Sequence, residues 1–222
     1  MKYSAAASRA VRVAFAPLAL TLSLAACGAG ERSTADGSAP ASHPTASTAL
    51  ESADTNAANE REAGASALAA VIDSLHQPSA GLYTAGQPEP GAWQVAASAG
   101  ITTVINLRPA AEMDGRDEAA EVAEAGLAYY EIPVAGAADV NLGNATALRR
   151  LIDQAPGPVL VHCASGNRVG ALLALSDMQT GKVSADQAVA FGRSAGLGSL
   201  EPRVREVIEG APAPACATGA RC

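Results

Sequence analysis

Aromatic residues are scarce in this 222-residue chain: one Trp, two Phe and four Tyr make up 3% of it. Hydrophobic residues reach 49%, but alanine carries much of that share, so the core is expected to be aliphatic, with Trp93 and Phe191 as fillers. Histidine is scarcer still. His43, His76 and His162 stand far apart, no Cys-x2-Cys pair accompanies them, and the sequence therefore spells no metal-ligand cluster; neither a metal site nor a cofactor is expected. Basic residues are also few. Three of the fifteen (Lys2, Arg9 and Arg12) and none of the acids lie in residues 1–27, leaving twelve basic against twenty-two acidic residues in the rest. That balance argues against a nucleic-acid partner and suits solubility after export. No internal repeat is present, and the length fits one domain with dissimilar ends.

Residues 1–26 place basic residues first, an apolar stretch from about Val13 to Leu24 next, and small residues last, which is the pattern of an export signal. The stretch is too short and alanine-rich for a permanent span. Its end, Leu24-Ala25-Ala26-Cys27-Gly28, resembles the lipobox of bacterial lipoproteins, which implies cleavage before Cys27 and a lipid on that cysteine. The expected location is the bacterial cell envelope, lipid-anchored and facing the periplasm. Residues 27–60 are rich in Ala, Ser, Thr, Gly and Pro without apolar periodicity and read as a disordered tether, with His43 a solvated spacer. Leu68, Val71, Ile72 and Leu75 fall on one helical face and predict an edge helix over 61–79. The main domain follows at 80–209, and 210–222 is a flexible tail. In an oxidising compartment its Cys216 and Cys222 can close a small disulfide loop or, alternatively, attack Cys163 as a switch.

Within 80–209, Gly81–Ala85 predicts a short strand and Trp93–Ala99 a helix ended by Gly100. Ile101–Leu107 is almost continuously apolar and β-branched, as in a strand buried on both faces. A helix is expected over Asp117–Ala125, a strand over Leu127–Val134, a small-residue loop over Ala135–Asn144, and a helix over Ala145–Gln154 with Asn144 as its candidate cap. Ser184 with Gln187 suits a capping box, and Pro202 the first turn of a last helix. Strands alternating with helices give an α/β fold: a mostly parallel central sheet flanked by helices. Ligand crevices of such sheets lie at the strands' carboxyl ends, where Arg108, Glu112 and Asp114 can approach the site or simply brace a loop as an Arg108–Glu112 pair.

The stretch that organises this domain is Pro158-Val-Leu-Val-His-Cys-Ala-Ser-Gly-Asn-Arg-Val-Gly-Ala-Leu-Leu173. An apolar strand ends at His162-Cys163, a loop of small residues passes through Gly166, and Arg168 opens a helix. A cysteine facing a helix N-terminus meets backbone N–H groups that favour its thiolate. Arg168 adds a planar fork of donors for a phosphate-like oxyanion.

These residues resemble the His-Cys-x5-Arg signature of cysteine-dependent phosphatases of the tyrosine and dual-specificity type, one residue short, as Cys-x4-Arg. With Thr84-Ala-Gly-Gln-Pro88 and Thr103-Val-Ile-Asn-Leu-Arg-Pro109, the chain is most similar to the compact phosphatase-like domain also found fused to beta-lactamase-like hydrolases. The resemblance implies a phosphatase-like fold with the Cys-x4-Arg loop between strand and helix, Cys163 as nucleophile, and a phosphorylated or other oxyanionic substrate. That substrate would be held by His162, Ala164, Ser165, Gly166, Asn167 and Arg168, with His162 bracing the loop. A leaving-group acid is required; Asp139 occupies the approximate place, with Glu112 and Asp114 as fallbacks. Val169 stands where a hydroxyl residue commonly follows the arginine. The six-residue loop is equally similar to that of rhodanese-type sulfurtransferases, in which Cys163 would carry a persulfide, and a pocket that only binds anions or a partner is the third reading.

Overall fold

The computed structural model describes residue 59 and residues 62–211; the leader, the Cys27 box, most of the tether and the tail cysteines Cys216 and Cys222 lie outside the described residues. Five strands, β1 (His76–Ser79), β2 (Leu82–Ala85), β3 (Thr103–Asn106), β4 (Ala128–Glu131) and β5 (Val159–His162), form one sheet in the order β1-β2-β5-β3-β4. Around it lie α1 (residues 62–71) and α2 (Ala92–Ser98), α3 (Glu118–Glu124), α4 (Leu142–Gln154), α5 (Asn167–Met178), α6 (Ala185–Ser194) and α7 (Glu201–Gly210). Only the β1–β2 pairing is antiparallel. The mostly parallel α/β architecture expected from the sequence is the one observed.

Side-chain alternation along β5 splits the interior into two cores. Val159 and Val161, with Cys163 beyond them, join Leu82 and Ile105 under α4, α5, α6 and α7. Leu160 joins Tyr83 and Val104 on the other face, under α1, α2 and α3. Every residue of α5 from Val169 to Ser176 is buried, which makes it the central helix of its layer. There α5 and α6 meet backbone to backbone: a Cβ on Gly170 would sit 2.2 Å from Leu197 N and 2.6 Å from Gly192 O, so only glycine fits.

Two local expectations are corrected. The helical pattern read over 61–79 stops at residue 71, and His76–Ser79 is β1. Pairing with β2 across a turn in which Gly81 has φ +74° outweighs the local periodicity, and Pro78 is tolerated because β1 is an edge strand. Helix α4 starts three residues before the expected Ala145, at Leu142, capped by Asn141, whose Oδ1 accepts from Asn144 N at 3.0 Å. Asn144 instead donates from Nδ2 to Asp139 O at 2.8 Å. The Ser184–Gln187 capping box forms, and Pro202 lies in the first turn of α7.

Candidate active site

Cys163 follows the last residue of β5 and faces the N-terminus of α5. Its N–H donates to Ala85 O at 3.3 Å. Gly166 adopts φ +82°, a left-handed conformation natural to glycine, and this turns its N–H onto Cys163 Sγ at 3.1 Å. Gly86 bridges Ser165, and a Cβ on Gly86 would press to 3.2 Å from Ala164 O, so the glycine lets β2 run close under the loop. Ala164 and Ser165 are exposed, while Cys163 has no exposed surface.

Arg168 is fixed before any ligand arrives. Nη1 and Nη2 donate to the two Glu112 carboxylate oxygens at 2.9 and 2.6 Å, and Nη1 also donates to Val134 O at 2.6 Å. Of the five guanidinium N–H groups, Nε–H and one Nη2–H are thereby left for the cradle. The Glu112 hydrogen bond raises the Arg168 pKa against the opposing effect of burial, and the nearby Cys163 raises it further. The same hydrogen bond holds Glu112 below the usual carboxylate range, with Arg108 assisting against partial burial. Glu112 is therefore an ionised orienting group, which removes it as a leaving-group acid. Arg108 braces it from behind, through Nε to Oε2 at 3.4 Å and Nη2 to the backbone oxygen, while Arg108 Nη1 reaches Gln87 Oε1 at 2.6 Å. Both roles considered for the Arg108–Glu112 pair thus hold together: it is a loop brace that reaches the cradle through Arg168.

His162 does not line the cradle, contrary to the substrate-binding role expected of it. Strand alternation sends it to the opposite face from Cys163, where it is fully buried with its ring 5.8 Å from that of Trp93. Its Nε2 lies 3.1 Å from Glu118 Oε2, close enough for an ion pair but outside hydrogen-bond alignment. Burial alone would raise the Glu118 carboxyl, but His162, Gln87 (Nε2 to Oε1, 2.5 Å) and Arg116 outweigh it and hold the group low. Tyr129 adds its hydroxyl at 3.2 Å. His162 thus anchors the end of β5 from behind. Asp139 sits in the loop after Val134, its Oδ2 accepting from Ala135 N at 2.8 Å, without a hydrogen bond to Cys163 or Arg168. Asp114 is exposed in a turn with φ +50°.

Residues 80–181 match the family model "Beta-lactamase hydrolase-like protein, phosphatase-like domain". That stretch is similar to the family over a little under half of the chain. The chain is 38% identical over 120 residues to the beta-lactamase hydrolase-like protein of Xylella fastidiosa strain Temecula1, covering 52% of this chain but 28% of that relative. It therefore spans little more than a quarter of the relative's length. A crystal structure of a candidate phosphatase (DUF442) from Shewanella putrefaciens CN-32 superposes with a TM-score of 0.51 at 27% identity, over 64% of this chain and 96% of that one. A second candidate phosphatase, from Neisseria meningitidis Z2491, gives 0.52 at 24% identity over 60% and 96%, a likeness of fold.

The domain also draws on residues past that match. Asn167 donates from Nδ2 to Ser199 Oγ at 2.8 Å and accepts at Oδ1 from Gly198 N and Leu200 N at 2.8 and 3.3 Å, tying the α6–α7 loop to the start of α5. Thr84 Oγ1 donates to Ala195 O at 3.0 Å on the same side. Of the loop residues expected to hold substrate, Asn167 thus turns its side chain away to this loop, leaving its backbone to the cradle. Sequence reasoning missed Glu118, Ser199 and Gly198. Glu118 reads as an ordinary acid in a helix's first turn, and the spaced pair Gly196 and Gly198 was the one local sign of a close approach. Val169 is fully buried in the apolar cluster that includes Cys163.

Proposed function

We propose that the domain hydrolyses phosphomonoesters through a phosphorylated Cys163. The observation that carries this reading is the Gly166 N–H donated to Cys163 Sγ at the N-terminus of α5, with an Arg168 fork, oriented by Glu112 and Val134, close enough to Cys163 for the two to interact. The Cys163 thiolate attacks phosphorus as the bond to the leaving oxygen breaks, and Asp139 gives that oxygen its proton. The free Nε–H and Nη2–H of Arg168, with N–H groups of the first turn of α5, hold the non-bridging oxygens. Water then cleaves the S–P bond, its proton passing to Asp139, and releases inorganic phosphate and the thiolate. Because Cys163 has no exposed surface, the site must open to admit the phosphoryl group. Val169 offers no hydroxyl to assist the second step, so a burst of alcohol release should precede a slower steady rate.

With 4-nitrophenyl phosphate as substrate, Cys163→Ser should lose turnover, and wild-type protein quenched in the burst should carry phosphate on Cys163. Full activity in Cys163→Ser would remove the nucleophile assignment. A second reading, sulfur transfer, is favoured by the short loop wrapped on Sγ and by the Asp139 carboxylate being engaged by Ala135 N–H. It needs no acid and would instead give a Cys163 persulfide, a mass gain of one sulfur, after exposure to thiosulfate. Neither adduct under either donor would favour a binding-only pocket. The tyrosine or dual-specificity type rests on the signature's resemblance and would be tested by comparing phosphotyrosine with phosphoserine peptides.

The proposal extends to location: the basic-apolar-small leader and the Leu24–Cys27 box support export and a lipid anchor at the cell envelope. Cys27→Ser should then release the protein from the membrane fraction or leave its leader uncleaved. A normally processed, membrane-bound variant would overturn the anchor.

A further inference from the structure

At the opposite end of β5 from Cys163, the last turns of α4 and α5 converge on a cavity of about 390 Å³, within the size range of small-molecule sites. Each helix turns the same face pattern to it. Arg149, Ile152 and Asp153 of α4 and Leu173, Ser176 and Asp177 of α5 stand at i, i+3 and i+4 and line the space. Leu82 and Val159 contribute from the sheet.

Two features of these walls are unfavourable as they stand. An aspartate next to the last residue of a helix meets the negative end of the helix dipole, and both helices have one there, Asp153 before Gln154 and Asp177 before Met178. Arg149 answers Asp153, at 2.9 Å. Asp177 has no cationic partner and no side-chain hydrogen bond among the described residues. Beside it Ser176 is 4% exposed, and its Oγ finds no hydrogen-bond partner. A serine on a helix ordinarily satisfies its hydroxyl on the preceding turn; this one makes no such bond to the described residues, although it stands on the stripe that lines the cavity.

We propose that this cavity binds a small organic amine, with the ammonium on Asp177, a polar contact to the Ser176 hydroxyl after rotation of χ1, and the apolar body against Ile152 and Leu173. A cation is called for by charge: the two helix C-termini and Asp177 are negative, and Arg149 is already committed. An apolar body is called for by the remaining walls. The site is independent of the phosphatase reading, since it shares no residue with the cradle.

The experiment is calorimetric titration of the full chain with 2-phenylethylamine, compared with 2-phenylethanol and phenylacetate as neutral and anionic counterparts. The amine should bind saturably with one site and at least 10-fold more tightly than either counterpart. Asp177→Asn should lose about that factor, while Cys163→Ser should bind unchanged. Ser176→Ala should bind several-fold more weakly yet unfold at the same or a higher temperature, because the variant removes a hydroxyl that the empty protein leaves unpaired. Equal affinity for amine and alcohol, undiminished binding by Asp177→Asn, or no saturable binding would each overturn the proposal.

Discussion

Helix α5 begins at a covered cysteine and ends at an open cavity, and its two ends handle charge in opposite ways. At the amino end Arg168 and Glu112 are paired in a two-point fork and Gly166 donates to the sulfur, so what remains is two N–H groups and the backbone donors. At the carboxyl end a carboxylate and a hydroxyl have no side-chain partner among the described residues. Open volume is poor at locating the chemistry here: the cavity of about 390 Å³ lies away from Cys163, whose own surface is fully covered. Leftover hydrogen-bonding capacity separates the two ends better, with donors for an anion at one and acceptors for a cation at the other.

The contrast is broken most strongly at Arg168. Arg168→Lys keeps the charge but loses the fork, and kcat/KM for 4-nitrophenyl phosphate should fall by roughly 10²- to 10³-fold, as when a positioned oxyanion donor is removed. Glu112→Gln should cost less, because Val134 O still holds Nη1. Amine binding at the other end should not change in either variant. Wild-type kinetics in Arg168→Lys would end the assignment of an anion-binding fork.

A smaller effect, felt at both ends, is expected from Gly170→Ala. The new methyl meets backbone of Leu197 and Gly192 rather than a flexible side chain, so α5 and α6 must separate, at a cost on the order of 1–3 kcal/mol. Gly210→Ala, with nothing within 4 Å, is the matched control and should be neutral or slightly stabilising. Thermal unfolding of the pair decides it; equal melting temperatures would mean the crossing is looser than described.

The smallest effect is at acid pH and sharpens the distinction between Glu112 in the crevice and Glu118 behind it. Both carboxyls are held low in the folded protein, Glu112 chiefly by Arg168, and Glu118 by His162 and Gln87 against its burial. A lowered carboxyl contributes stability that is fully present above its unfolded pKa, about 4.3, and is lost as pH falls through the folded value. Denaturant unfolding at pH 5 and pH 3 should show that loss in the wild type. Glu118→Gln and Glu112→Gln should each reduce it, Glu112 in the crevice and Glu118 behind it contributing separately. The same pH dependence in all three proteins would remove the linkage.

Local chemistry made the strand-loop-helix of the site legible: an apolar run, a cysteine, a glycine and an arginine at fixed offsets need no distant information. The same holds for the parallel strands and for the Ser184–Gln187 box. What escaped the sequence depends on partners far along the chain. His162 was assigned to substrate and to bracing the loop by the family resemblance; alternation leaves it only the bracing side, because neighbours on a strand face opposite ways and which face holds the cradle is decided by α5. Its partner Glu118 and the Ser199 contact of Asn167 are separated from the motif by tens of residues. β1 was lost for a similar reason: the apolar spacing of α1 runs on to Leu75, while the pairing with β2 that ends it is tertiary. At α4 Asn144 was read as the cap, and only backbone geometry shows that Asn141, three residues earlier, takes that place.

The meeting of Gly170 with Gly192 bears on how the polypeptide can be divided. The family match ends at residue 181, ahead of α6. A protein cut there would keep every residue of the Cys-x4-Arg loop and still lose Leu197, whose backbone abuts Gly170, and Val204, which is fully buried in the same core as Cys163. The signature and the smallest piece able to fold around it therefore have different lengths, and a boundary drawn from the motif alone would expose the flank of α5 it was meant to preserve.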